Sequence, residues 1–162
     1  MDIRRLALLH LTATAAMVGL MTMVQLVVYP QYDLVPAAEF SEYVEQHGIR
    51  IGIPLALFAP AEVVLALLLW LRAPAGRLRT VAFVAGALLA VAWVATGFWY
   101  GPLHGDLIGR DYDPDRIDLL ADTNWFRTIA WWIRGGLAVW FAFALTSGPA
   151  PAASVEAQPA AG

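Results

Sequence analysis

Two arginines, Arg127 and Arg134, stand one heptad apart inside an apolar stretch near the C-terminal end, and a lone carboxylate, Glu62, stands inside another. A charge at membrane depth must find a partner, so such residues mark either a staple between helices or a place where a charged group binds. On a helix, Asn124, Arg127, Trp131, Arg134 and Ala138 recur at intervals of three or four and share one face. The two guanidinium groups then lie about 10 Å apart along the axis. The rise per residue, counted from the segment ends, sets Glu62 and Arg134 at similar depth and predicts an ion pair. Such a pair would fix helix register. The competing reading has Arg134 hold a ligand's carboxylate or phenolate. Arg127, nearer the segment's end, is read as lining a pocket or as snorkelling to the interface.

Further polar side chains gather at the same end: Gln25 and Tyr29, His47 and Arg50, Thr96 and Tyr100, and then His104. They are expected to open toward one cavity, with Trp93, Thr96 and Tyr100 forming an aromatic wall that carries hydroxyls at its mouth. His104 is the candidate general base or acid, because imidazole titrates near neutral pH, and it is expected beside Asp106 and Arg127. An exposed loop histidine without a role is the alternative. His10, toward the opposite end, is expected to serve packing or a local hydrogen bond, outside the site. His47 and His104 share a depth suited to haem or metal ligation, but no His-x-x-His or Glu-x-x-His spacing occurs, so no cofactor is expected. The run Asp111, Asp113, Asp115 and Asp122 has the span of a calcium loop. Arg116 stands where that motif needs glycine and Pro114 stiffens it, so the run is read as a solvated helix cap.

The elements that must position these groups follow from composition. Of 162 residues, 60% are hydrophobic and 14% charged, with a positive mean hydropathy. That balance predicts an integral membrane protein of the all-α class. Apolar stretches at 6–29, 51–71, 80–100 and 125–146 are each long enough to cross roughly 30 Å of hydrocarbon as a helix. The expected architecture is a four-transmembrane-helix bundle over residues 1–146, followed by a tail at 147–162, rich in Pro, Ala and Gly, that is expected to be disordered. The chain has no cysteine and no lysine, which excludes disulfides, thiolate nucleophiles and Schiff-base chemistry.

Arg4 and Arg5 precede the first stretch, and Arg72, Arg77 and Arg79 crowd the link between the second and third. The positive-inside rule then predicts a multi-pass protein of the inner (plasma) membrane with both termini in the cytoplasm. The first apolar run is too long for a signal h-region. Two short amphipathic helices are expected in the outer loops. One covers 37–47, opened by Pro36 and closed by Gly48, with Phe40, Tyr43, Val44 and His47 on its apolar face and Glu39, Glu42, Glu45 and Gln46 opposite. The other begins at Pro114, capped by Asp113, with Ile117, Leu120 and Ala121 turned inward. Pro30 is expected to end the first span. The expected partners are the lipid bilayer and a small hydrophobic ligand, with no nucleic acid. Gly86 and Ala90 offer a small-residue surface for homo-oligomer formation.

Three short motifs carry a resemblance. They are the run Gln25, Leu26, Val27, Val28, Tyr29, Pro30; Pro102 with a polar residue, His104, two positions later; and the run Asn124, Trp125, Phe126, Arg127, Thr128. With these, the chain resembles the anthrone-oxygenase-like family of small four-helix membrane proteins, over most of residues 6–146. His104 stands where that family often has asparagine. The resemblance implies a cofactor-free oxygenase that deprotonates a phenolic polyketide, whose carbanion then reacts with dioxygen. It would make His104 the base, Arg127 and Asn124 the oxyanion's donors, and Arg134 with Glu62 the source of the field beneath. The expectation is an outward-opening, arginine-floored pocket for a small hydrophobic, anionic or phenolic molecule. A non-catalytic scaffold or accessory subunit, or a haem-binding membrane protein, is the alternative.

Overall fold

The computed structural model describes residues 1–110 and 112–146; the tail expected to be disordered lies outside them. Four helices fill the described chain: α1 (Ile3–Tyr32), α2 (Ala37–Arg72), α3 (Arg77–Leu107) and α4 (Pro114–Thr146). Each is long and apolar enough to cross a membrane. They run up and down in chain order. α1 packs on α2 and α4, and α3 packs on the same two, so α1 faces α3 and α2 faces α4 across the diagonals. The α1–α2 and α3–α4 connections share one end, here the distal end. The N-terminus and the α2–α3 turn share the other, the proximal end.

Large apolar side chains cover the outer surface and polar ones lie inside. Ile53, Leu57, Phe98 and Phe143 point outward, while Glu62, Asn124, Thr128 and Arg134 have no exposed surface at all. At the proximal turn Gly76 adopts φ +92°, a left-handed conformation suited to glycine. The Arg79 guanidinium donates through Nε and Nη2 to the Ala73 carbonyl at 3.1 and 2.9 Å, closing the end of α2.

Both amphipathic segments are helical with the faces expected of them, but neither stands apart from its span. Phe40 and Val44 are buried, Tyr43 and His47 partly so, and Glu39, Glu42, Glu45 and Gln46 are exposed. The helix passes through Gly48 without a break to Arg72. A glycine in a helix interior costs about 1 kcal/mol, too little to end a helix whose flanking turns are packed. In the same way α4 runs unbroken from Pro114 through the segment bearing Ile117 and Leu120. Asp113 caps it as expected, accepting from the Arg116 amide at 3.3 Å.

Pro30 does not end α1. A π-helical turn, Val24–Val28, precedes it and helix continues to Tyr32. α3 repeats the device: the π turn Thr96–Tyr100 precedes Pro102, and helix continues to Leu107. Proline lacks an N–H and its ring collides with the carbonyl four residues back; a wider turn just ahead of it relieves both problems. Each π turn also shifts the residues that follow it, and each is followed or closed by a tyrosine that faces the interior, Tyr29 and Tyr100.

The interior is layered. A distal cluster joins Tyr29, Tyr32, Phe40, Val44, Tyr100, Leu107, Ile117 and Leu120. A middle cluster joins Met17, Met21, Ala66, Leu89, Ala92 and Trp131, and a proximal one Leu6, Ala7, Leu69, Ala73, Ala82 and Phe141.

Candidate binding site around Arg127

The inward face of α4 carries Asn124, Arg127, Thr128, Trp131 and Arg134, all buried, as the helical spacing predicts. Arg127 lies between the two π turns. Its Nε donates to Asn124 Oδ1 at 2.8 Å, Nη1 to Thr96 Oγ1 at 3.3 Å and Nη2 to the Tyr29 hydroxyl at 3.4 Å. Its guanidinium carbon sits 4.1 Å from the centroid of the Tyr100 ring, a cation–π contact. Among the described residues no carboxylate lies within ion-pair distance of it. It is only 7% exposed, so it is a buried cation held by neutral groups.

These neutral groups are themselves fixed. Asn124 Nδ2 donates to Gln25 Oε1 at 2.7 Å and to Thr128 Oγ1 at 3.3 Å, and Gln25 Nε2 donates to the Ala121 carbonyl at 3.1 Å. Tyr100 donates its hydroxyl proton to the Thr123 carbonyl at 2.5 Å. The His104 tautomer follows from its partners. The Tyr100 carbonyl can only accept, so Nδ1, 2.8 Å away, carries the proton. Nε2 then offers its lone pair to the Tyr29 hydroxyl at 3.3 Å. A chain results in which Arg127 donates to the Tyr29 oxygen and Tyr29 donates to His104.

A partly open cavity of about 190 Å³ reaches this chain. Met17, Met21, Leu55, Trp93 and Trp131 supply apolar surface, and Tyr29, His47, Thr96, Tyr100, His104 and Arg127 supply the polar groups. Seven residues expected at the cavity, Tyr29, His47, Trp93, Thr96, Tyr100, His104 and Arg127, therefore meet there, joined by Trp131 from the inward face of α4; Arg50, also expected, is exposed and does not line it. Four others stand behind the wall. Asn124 holds Arg127 from the far side, is itself held by Gln25, and has both amide hydrogens engaged within the protein.

Glu62 and Arg134 do form the expected ion pair, between Arg134 Nη1 and Glu62 Oε1, with neither side chain exposed. Arg134 Nε donates to the Ala85 carbonyl at 2.9 Å, and Trp131 Nε1 donates to Glu62 Oε2 at 3.3 Å. This pair does not line the cavity. Trp131, edge-on to Trp93 with centroids 6.0 Å apart, lies between them. The floor is thus an indole where an arginine was expected, because the tryptophan at the intervening turn is large enough to close the space. Asp106, expected beside His104, is not among the hydrogen-bond partners of that ring. It is engaged by Arg110 at 3.1 Å and by Arg116 at 2.7 Å on the distal rim, where Asp113 also pairs with Arg116.

Tyr29, expected only as one of several polar groups at this end, is the link between Arg127 and His104. The signal available was the proline after each interior tyrosine, at Tyr29-Pro30 and Tyr100-Gly101-Pro102. His10, expected to pack or make a local hydrogen bond, is buried, and its ring makes no hydrogen bond among the described residues. Compared with protein-family models, with curated proteins and with solved structures, the chain shows no significant match.

Proposed function

We propose that this chain is an integral membrane protein whose distal pocket binds a small hydrophobic molecule carrying an anionic or phenolic oxygen. One observation carries the reading: Arg127 is a buried guanidinium at a cavity wall without a counter-ion among the described residues. Removing a cation from water is costly, and neutral hydrogen bonds plus a ring face offset only part of that cost. Three of its five N–H donors are engaged within the protein, leaving two for a ligand oxygen.

The cavity's size narrows the ligand. An apolar cavity of about 150 Å³ takes benzene, so about 190 Å³ suits a substituted single ring. A three-ring anthrone would have to extend through the cavity mouth.

A phenolic ligand hydrogen-bonded to Arg127 would also lie near His104, whose Nε2 lone pair can take a proton directly or through the Tyr29 hydroxyl. The resulting phenolate is the form Arg127 favours. The oxygenation implied by the family resemblance starts from such a deprotonation: a ring-activated CH₂ becomes a carbonyl, one oxygen atom of O₂ is retained and the other leaves as water. No cofactor is required by that balance. The concentration of Arg4, Arg5, Arg72, Arg77 and Arg79 at the proximal end supports a cytoplasmic location for that end and an opening of the pocket on the opposite face.

The test is calorimetric titration of the protein in detergent with a single-ring phenol and with an anthrone, alongside an oxygen electrode. Binding of the smaller phenol, reduced by Arg127→Leu, supports the reading. A folded wild-type protein that binds neither compound overturns it, and binding without oxygen consumption limits the protein to ligand binding.

A further inference from the structure

Between the middle and proximal clusters lie buried polar atoms that have no hydrogen-bond partner among the described residues. His10 is 2% exposed with both ring nitrogens unpartnered. Thr14, one helical turn on and fully buried, has an unpartnered Oγ1. Arg134 has Nη2 unpartnered, although its Nε and Nη1 are engaged. On α1, His10 and Thr14 fall between Ala7 of the proximal cluster and Met17 of the middle one. On α4, Arg134 falls between Trp131 and Phe141 of the same two clusters. Arg134 lies within electrostatic range of His10. One level of the bundle therefore concentrates unmet hydrogen-bonding capacity between two apolar layers.

We infer that this level is an internal site for ordered water, enclosed by His10, Thr14 and Arg134. The mixture of groups selects the occupant. Arg134 Nη2 offers only donors, whereas a neutral imidazole offers one donor and one acceptor at opposite edges of its ring. The hydroxyl of Thr14 offers both. A molecule that donates and accepts at once meets all of these, and water does so within a small volume. A lone anion would satisfy the donors but leave the imidazole acceptor unmet. It would also add net charge beside an arginine already balanced by Glu62. A metal cation would sit against that arginine's charge. The site is distinct from the distal pocket, because Met17, Met21 and Trp131 lie between them.

Magic-angle-spinning NMR of the full chain in lipid bilayers tests this. With ¹⁵N-labelled histidine, magnetisation is passed from water protons to ring nitrogens. The chain has three histidines. His10→Phe assigns the signal by its loss; should that variant not fold, His47→Asn with His104→Asn leaves the His10 signal alone. Transfer from water to the His10 ring nitrogens is expected in the unaltered protein. It should fall about twofold in Thr14→Val, which removes one of the roughly three bonds that hold a buried water. A resolved His10 signal that receives no magnetisation from water overturns the inference. So does a direct hydrogen bond from His10 to a protein group, or a transfer that Thr14→Val leaves unchanged.

Discussion

Arg134 and Arg127 share one face of α4, seven residues apart, and the bundle treats them in opposite ways. Arg134 is paired with Glu62 across the α2–α4 diagonal and closed off from the cavity by Trp131. Arg127 meets an amide oxygen, two hydroxyls and a ring face, with no carboxylate, and it opens on the cavity. A balanced charge at depth is structural: it fixes how two helices face each other and gains nothing from a ligand. An unbalanced charge beside a void is, on the proposed reading, the place for a ligand's anionic oxygen. The sequence left Arg134 open between a staple and a ligand anchor; the structure gives it the Glu62 partner and gives the cavity to Arg127.

The largest effect is expected at Glu62. Glu62→Ala leaves the Arg134 charge buried without its partner, and removal of one member of a buried pair costs about 3–5 kcal/mol. The unfolding midpoint in detergent should fall accordingly, and the protein will be recovered poorly. Replacing both residues by leucine should restore most of the loss, because two apolar side chains of similar bulk need no counter-charge. A double variant as unstable as the single one would show that Glu62 acts through something other than Arg134.

At Arg127 the expected pattern reverses. Arg127→Leu removes a charge that the protein alone does not balance, so the unfolding midpoint should hold or rise. Affinity for a phenolic ligand should drop by about 30- to 150-fold, corresponding to the roughly 2–3 kcal/mol of hydrogen bonding to a charged group. Titration calorimetry and thermal unfolding on the same preparation check both halves. A variant that unfolds early and binds normally would reassign Arg127 to the structural class.

Much of this division was legible before any coordinates, and the part that was not has a physical cause. Hydropathy and helical spacing located the four spans, the inward face of α4 and the Glu62–Arg134 pair, because depth and facing follow from a fixed rise and pitch. They could not show that Phe40–Arg72 is one helix, since Gly48 is a weak breaker and only packing decides its effect. Nor could they show the π turns before Pro30 and Pro102, which change the register of everything after them. Helical spacing still set Trp93, Thr96 and Tyr100 on one cavity wall, where they stand; what it left out is that Tyr29 and Tyr100 both meet the Arg127 guanidinium.

Smaller effects sharpen the account of how Arg127 is held. Asn124→Ala removes the acceptor for Nε and strands Gln25 Oε1, so affinity should fall about tenfold, a cost of roughly 1–2 kcal/mol. The informative measurement is a cycle. Introduced into Arg127→Leu, the same change should cost no further affinity, because Asn124 acts only through the guanidinium. Additive losses would mean that Asn124 touches the ligand itself, as the family resemblance had implied.

The smallest expected change in binding separates holding a ligand from deprotonating it. Tyr29→Phe keeps the ring and its edge-on packing against Tyr32, 5.5 Å between centroids. It deletes the hydroxyl that joins Arg127 Nη2 to His104 Nε2. Both lost bonds lie within the protein and reach affinity only through the placement of the guanidinium, so affinity should change by about fivefold at most, roughly 1 kcal/mol. If the phenol's proton reaches His104 through Tyr29, any turnover should fall far more than affinity does, lowering kcat with KM nearly unchanged. If the proton passes to His104 directly, kcat and KM should both move little in Tyr29→Phe, and only His104→Ala should abolish the reaction. The two variants measured side by side therefore decide whether the π turn in α1 serves to place a proton relay or only to brace the arginine.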